Sequence, residues 1–181
     1  MLNFARCSKI LINKFDTEVQ INRMMQSGLA AIIKNIKVDV YDWKVPFSEE
    51  VIEIDGIRLA SAKDIFAFKC EALTGRKAEK DFIDIAEISL HFSMEELFRT
   101  FQIRYPHYTK GSIMPILLQP SIFERDTSIQ YAEGKSWEYY CEVMRKAIFN
   151  FGTSLQAKKE KELDDHDKKI QSLIEQKRKK K

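Results

Sequence analysis

An α+β chain is what this sequence predicts, a small sheet first and a helical domain after it, and three observations carry the expectation. β-branched residues and period-two alternation crowd residues 18 to 43. From Ser61 onward apolar residues recur at helical spacing behind recognisable N-caps. The last two dozen residues are a low-complexity run of Lys, Glu and Asp. A chain of 181 residues with 44% hydrophobic content can bury one compact core with an extension.

In chain order, Leu2, Ala5, Ile10 and Leu11 give residues 2–14 the pattern of a short helix. Glu18–Met25, Leu29–Ile33 and Ile36–Trp43 read as strands, broken near Ser27-Gly28 and at Asn35. Pro46 closes that run, and "VIEIDGIRL" predicts a hairpin turning at Asp55-Gly56. Ser61 with Asp64 resembles a capping box, and Ser93 with Glu96 fits that pattern more fully. The first helix of the domain is expected to break at Gly75, and a second spans about Ala78 to His91. Its core face is Phe82, Ile85, Ala86 and Ser89, which leaves Asp81 and Asp84 on the opposite side with Lys77 and Lys80. A third helix covers Met94–Arg104 and stops before Pro106, and a fourth covers Ser112–Gln119 around Pro115. Residues 120–135 read as loop, and Ser136 caps a helix that continues past Gly152 into the tail. The expected organisation is 1–60 as sheet region, 61–150 as helical domain and 151–181 as charged helical tail.

No apolar run reaches the roughly 20 residues of a membrane span, and the N-terminus carries no signal-peptide cleavage pattern. Cys7, Cys70 and Cys141 are odd in number and widely spaced, which suits reduced thiols in a cytoplasm. The net charge of +3 is uneven: Lys158–Lys181 carries +4, leaving residues 1–157 at −1. That tail reads as a solvated helix with pairs such as Lys158–Glu162 and Lys161–Asp165, or as a surface for nucleic acid or an acidic partner. His91, His107 and His166 have no metal-ligand spacing with the cysteines, and no serine sits in a nucleophile elbow. Tyr105, Tyr108, Trp137, Tyr139 and Tyr140 suit a core better than a base-stacking surface.

Two positions invite chemistry. Lys69 falls within roughly 60° of Ala62, Ile65, Phe66, Ala72 and Leu73 on a helical wheel, with Arg76 one heptad further on. An ammonium on an apolar face needs a carboxylate or a phosphate opposite it, and a structural pair with Asp81 or Asp84 is one reading beside a triphosphate contact. Asp39, in "IKVDVY", is an acid presented from mid-strand, on the face opposite Val38 and Val40. With Arg76, Lys80, Asp81 and Asp84 these form a mixed-sign set suited to a metal–triphosphate.

The succession "IKVDVY", "VPF" and "IDGIRLASAKDIFAFKCEALTGRKAEKDFIDIAEI", over about residues 36 to 105, resembles the nucleotidyltransferase toxins of the AbiEii/AbiGii group of abortive-infection and toxin–antitoxin systems. The resemblance implies a nucleotidyltransferase-type sheet and Mg²⁺-dependent transfer of a nucleotide from a nucleoside triphosphate to an acceptor such as tRNA, with a cognate antitoxin as partner. It implies catalytic roles for Asp39, Lys69, Asp81 and Asp84, with Asp39 holding the metal. Lys69, Arg76 and Lys80 would then meet the triphosphate.

The chain departs from that family at its main metal motif, a Gly-Ser turn followed by Asp-x-Asp on a strand. Its six glycines are isolated, and its one Asp-x-Asp is Asp165-His166-Asp167 in the tail. Residues 1–15 would match the helix after the missing motif, so the expectation is a member lacking its first strand–helix segment, with an incomplete sheet, weak Mg²⁺ binding and doubtful activity. The alternative is a non-catalytic remnant or interaction module that binds a partner or nucleic acid through its basic tail.

Overall fold

The structure, a computed structural model, describes residues 3–25, 28–42 and 45–179. It is α+β, an N-terminal helix and small antiparallel sheets followed by a helical region and a long C-terminal helix. The chain divides into two compact units, 1–46 and 47–181.

In the N-terminal unit, helix α1 (Phe4–Phe15) starts where the Asn3 side chain accepts the Arg6 N–H, and it buries Phe4. Strands β1 (Val19–Met25), β2 (Gly28–Ile33) and β3 (Ile36–Tyr41) form an antiparallel sheet with β2 central. Lys34 and Asn35 both have positive φ and close a two-residue turn of the kind that matches strand twist. Leu29 and Ala31 on β2 are the buried apolar residues of the sheet. Gly28 suits this position, because a Cβ would come within 2.9 Å of the Tyr41 ring on the paired strand and force that ring to shift. The expected end of the third strand at Trp43, and the break at Ser27, lie outside the described residues.

The C-terminal unit begins with a hairpin of β4 (Ile52–Ile54) and β5 (Ile57–Leu59), turning at Asp55-Gly56, both at positive φ. Helices α2 (Ala62–Gly75), α3 (Glu79–Ser89), α4 (Met94–Arg104) and α5 (Lys110–Leu117) follow, then a 3₁₀ turn at Pro120–Ile122 and α6 (Trp137–Lys179). Ser61 caps α2, and Ser93 with Glu96 forms a reciprocal capping box on α4. The fourth helix starts earlier than expected, because Thr109 and Ser112 form a reciprocal cap ahead of it, and Pro115 is accommodated inside it. Gly152 does not interrupt α6.

One core serves this unit. Phe66, Ala67, Cys70 and Leu73 of α2 meet Phe82, Ile85 and Ala86 of α3 and Leu97, Phe98 and Phe101 of α4, and α6 closes it with Trp137, Tyr140, Met144, Ile148 and Phe151. Two wheel-based expectations change here. The centre of the buried face of α2 runs through Phe66, Cys70 and Leu73, while Ile65 is 36% exposed, so Lys69 sits on the shoulder of the apolar stripe and not in its middle. On α3, Asp81 is fully buried instead of lying on a solvent face. The reason is packing on two sides, since α3 lies against both α2 and α6 and keeps little surface for water.

Residues 123–135 have little regular structure but are pinned. Glu124 bridges in parallel to Ala78, and buried Glu79 accepts the Asp126 N–H at 2.6 Å, the Tyr131 hydroxyl and Arg125 Nε at 3.1 Å. Burial alone would raise the Glu79 pKa, but the donors from Tyr131, Asp126 and Arg125 outweigh it and hold the carboxyl below its usual range. In the tail, Lys158 reaches across to Glu95 on α4 at 2.6 Å instead of pairing with Glu162, and Lys168 pairs with Asp164. The cysteines are free; Cys70 is fully buried and the other two are half-buried. Among the described residues no helix is long and apolar enough to cross a membrane.

Candidate functional site

Lys69, Arg76, Asp81 and Asp84 are brought together where the end of α2 faces the start of α3. The short connection from Arg76 to Ala78 turns the chain back, helped by the Arg76 N–H donating to the Ala72 carbonyl at 3.0 Å. Lys69 Nζ lies 3.0 Å from Asp81 Oδ1 and 2.5 Å from Asp84 Oδ2. Arg76 Nε lies 2.7 Å from Asp81 Oδ2. The carboxylate that an ammonium at Lys69 requires is therefore present, and there are two of them.

The two acids are not equivalent. The Asp81 side chain is 0% exposed and shares its oxygens between two cations, whereas Asp84 is 45% exposed. Burial alone would raise the Asp81 pKa, but hydrogen bonds from Arg76 and then Lys69 hold it below the usual carboxylate range. Burial likewise pulls the Lys69 pKa down, and the bonds to Asp84 and Asp81 more than reverse that, so its pKa is raised. Lys69 is thus an ammonium at neutral pH, a point charge for an anion and not a base or an amine nucleophile.

Lys80 is exposed on α3 and forms no described ion pair with these four. Asp39 belongs to the N-terminal unit, on β3 opposite Ala30 of β2, with Lys37 Nζ at 3.4 Å. Among the described residues no group of three or more His, Cys, Asp or Glu side chains comes together to hold a metal ion. Asp39 supplies one carboxylate with a lysine beside it, and these residues do not make a Mg²⁺ centre by themselves.

A second polar constellation is not evident from the sequence. Asp64, fully buried, accepts the N–H groups of Ser48 at 2.9 Å and Glu49 at 3.2 Å, the Ser61 hydroxyl at 3.0 Å and Arg104 Nη1 at 3.1 Å. The Arg104 guanidinium, also buried, lies 4.0 Å from the Phe68 ring centre. A signal exists: Arg104 follows Leu97 and Phe101 on the apolar stripe of α4, so it needs an anion as Lys69 does. Asp64 reads as a cap, and nothing local shows that its carboxylate also anchors residues 48–49. This constellation is structural, tying the chain ahead of the hairpin to α2 and α4.

No family model matches this chain, and no curated protein does. Among solved structures it is similar to the crystal structure of JHP933 from Helicobacter pylori, at 17% identity and a TM-score of 0.38, over 79% of this chain and 69% of that one. A similarity of that size does not establish a shared fold.

Proposed function

We propose that this chain is a nucleoside-triphosphate-binding protein related to the AbiEii/AbiGii nucleotidyltransferase toxins, with transfer of a nucleotide to an acceptor such as tRNA as the activity that relationship carries. The observation supporting it is the convergence of Lys69, Arg76, Asp81 and Asp84 from two helices into one cluster. Nucleotidyl transfer gathers negative charge on phosphate oxygens, and a fixed ammonium in a partly desolvated position stabilises such charge. Lys69 fills that role, oriented from below by Asp81, with Arg76 held beside it. Asp39 is the carboxylate this reading assigns to Mg²⁺, and most of that ion's ligands would have to be phosphate oxygens and water.

The test is binding followed by transfer. Titration of the purified chain with each nucleoside triphosphate in Mg²⁺ should show saturable binding that Lys69→Ala weakens about tenfold or more, with the circular dichroism spectrum unchanged. Labelled triphosphates with bulk tRNA then report transfer, which Asp39→Ala should abolish.

A second reading is favoured by the single carboxylate at Asp39 and by α6, whose described side chains beyond Lys158 are exposed. It makes the chain an interaction module that binds a protein partner or nucleic acid through its basic tail. Removing Lys158–Lys181 should then weaken nucleic-acid binding and flatten its dependence on salt, the log–log slope falling by about 0.9 for each phosphate that the tail neutralises. Nucleic-acid binding with unchanged affinity and salt slope after that truncation would dismiss it.

A further inference from the structure

Lys69 is held by two carboxylates of opposite character. Asp81 is sealed in the core and fixed by Arg76 as well as Lys69, so it cannot leave without exposing a buried charge. Asp84 lies about one helical turn further along α3, 45% exposed, and its described ion pair is the one to Lys69. The Lys69 side chain is itself 25% exposed, so this pair is one open end of the cluster, and Arg76, 58% exposed, is the other. Within the cluster, Lys69 and Arg76 balance Asp81 and Asp84 in formal charge.

We infer that Asp84 is an exchangeable stand-in for a phosphate. In the ligand-free protein it occupies the outer coordination position of the Lys69 ammonium. An arriving polyphosphate oxygen takes that position, and the Asp84 carboxylate turns out to water, which its exposure makes cheap. Asp81 stays in place and keeps the ammonium aimed outward. The inference rests on the nucleotide-binding reading and gives Asp84 the role of a competitor for the site and not of a group acting on the reacting atoms. Its consequence is selective: a singly charged anion gains little by replacing one carboxylate with another, whereas a polyphosphate brings several charges to the same ammonium.

Inorganic tripolyphosphate and a nucleoside triphosphate, titrated calorimetrically into the full chain at low salt, test this with three variants. Asp84→Asn removes the competitor at a surface position and keeps the side chain's shape. It should tighten both ligands about fivefold, the scale of one partly exposed ion pair. Lys69→Ala should weaken binding, and in the double variant Lys69→Ala/Asp84→Asn the gain should vanish. Acetylation of Lys69 read by mass spectrometry gives a second measure: faster in Asp84→Asn than in wild type, and slowed by tripolyphosphate in both. Wild-type binding that depends on Lys69 but is unchanged or weakened in Asp84→Asn would overturn the exchange while leaving the nucleotide reading intact. Binding that Lys69→Ala does not affect, or none in wild type and Asp84→Asn alike, would overturn both.

Discussion

Two buried aspartates let the value of a charge be compared within one molecule. Asp64 and Arg104 are both wholly buried, so removing Asp64 takes a carboxylate from a guanidinium that water does not reach. Asp81 is equally buried, but its partners Lys69 and Arg76 are 25% and 58% exposed and can be rehydrated. Asp64→Ala should therefore cost about 3–5 kcal/mol, the range for a broken buried pair, plus the loss of its backbone donors. Asp81→Ala should cost less, about 2–3 kcal/mol, because water screens the cations it leaves. Urea unfolding of the two variants checks the order, and a larger effect for Asp81→Ala would contradict it.

The same groups set the response to acid. The carboxyls of Asp81 and Glu79 are held below their usual range in the folded chain. A depressed carboxyl stabilises the fold at full strength above its unfolded pKa, about 4, and loses that contribution as pH falls through the lower folded value. Stability should thus drop below about pH 4. In Asp81→Asn the drop should be shallower, measured as unfolding free energy against pH; an identical slope would show that Asp81 does not take part.

At the scale of elements, α6 is two things in one helix. Its first turns carry Trp137, Tyr140, Met144, Ile148 and Phe151 into the core at spacings of three and four. Its described side chains beyond Lys158 are exposed, and the surface pair between Lys158 and Glu95 adds little. Met144→Ala should cost about 2–5 kcal/mol through the cavity it leaves, while ending the chain after Lys158 should barely move the melting temperature. Differential scanning calorimetry separates these outcomes, and a large drop on truncation would mean that the distal helix is covered by something.

Elements bounded by local chemistry are legible without the fold. Ser61, Ser93 and the Asp55-Gly56 turn each fix a boundary within a few residues, and the helix at Met94–Arg104 has the ends its sequence predicts. What is not legible comes from packing on two sides. A helical wheel assigns α3 one apolar face, yet its packing against both α2 and α6 buries an acid that the wheel gives to solvent. Lys69 announces its need for an anion and the sequence offers Asp81 or Asp84; the turn at Arg76–Ala78 brings both of them to it. Arg104 gives the same signal from the apolar stripe of α4, and its partner lies 40 residues away.

The apolar core belongs to residues 47–181, where twenty of the described residues are buried in one cluster. Among its described residues the N-terminal unit buries Phe4, Leu29 and Ala31, a much smaller apolar interior. The central claim concerns the larger unit, that Lys69 is a cation aimed at a phosphate. It is tested most directly by titrating a nucleoside triphosphate into wild-type and Lys69→Ala chains whose circular dichroism spectra match. Saturable binding that falls about tenfold or more in the variant is the result expected. Equal binding by the two chains, or none by either, would contradict it and leave the Lys69–Asp81–Arg76 cluster as a purely structural clasp between α2 and α3.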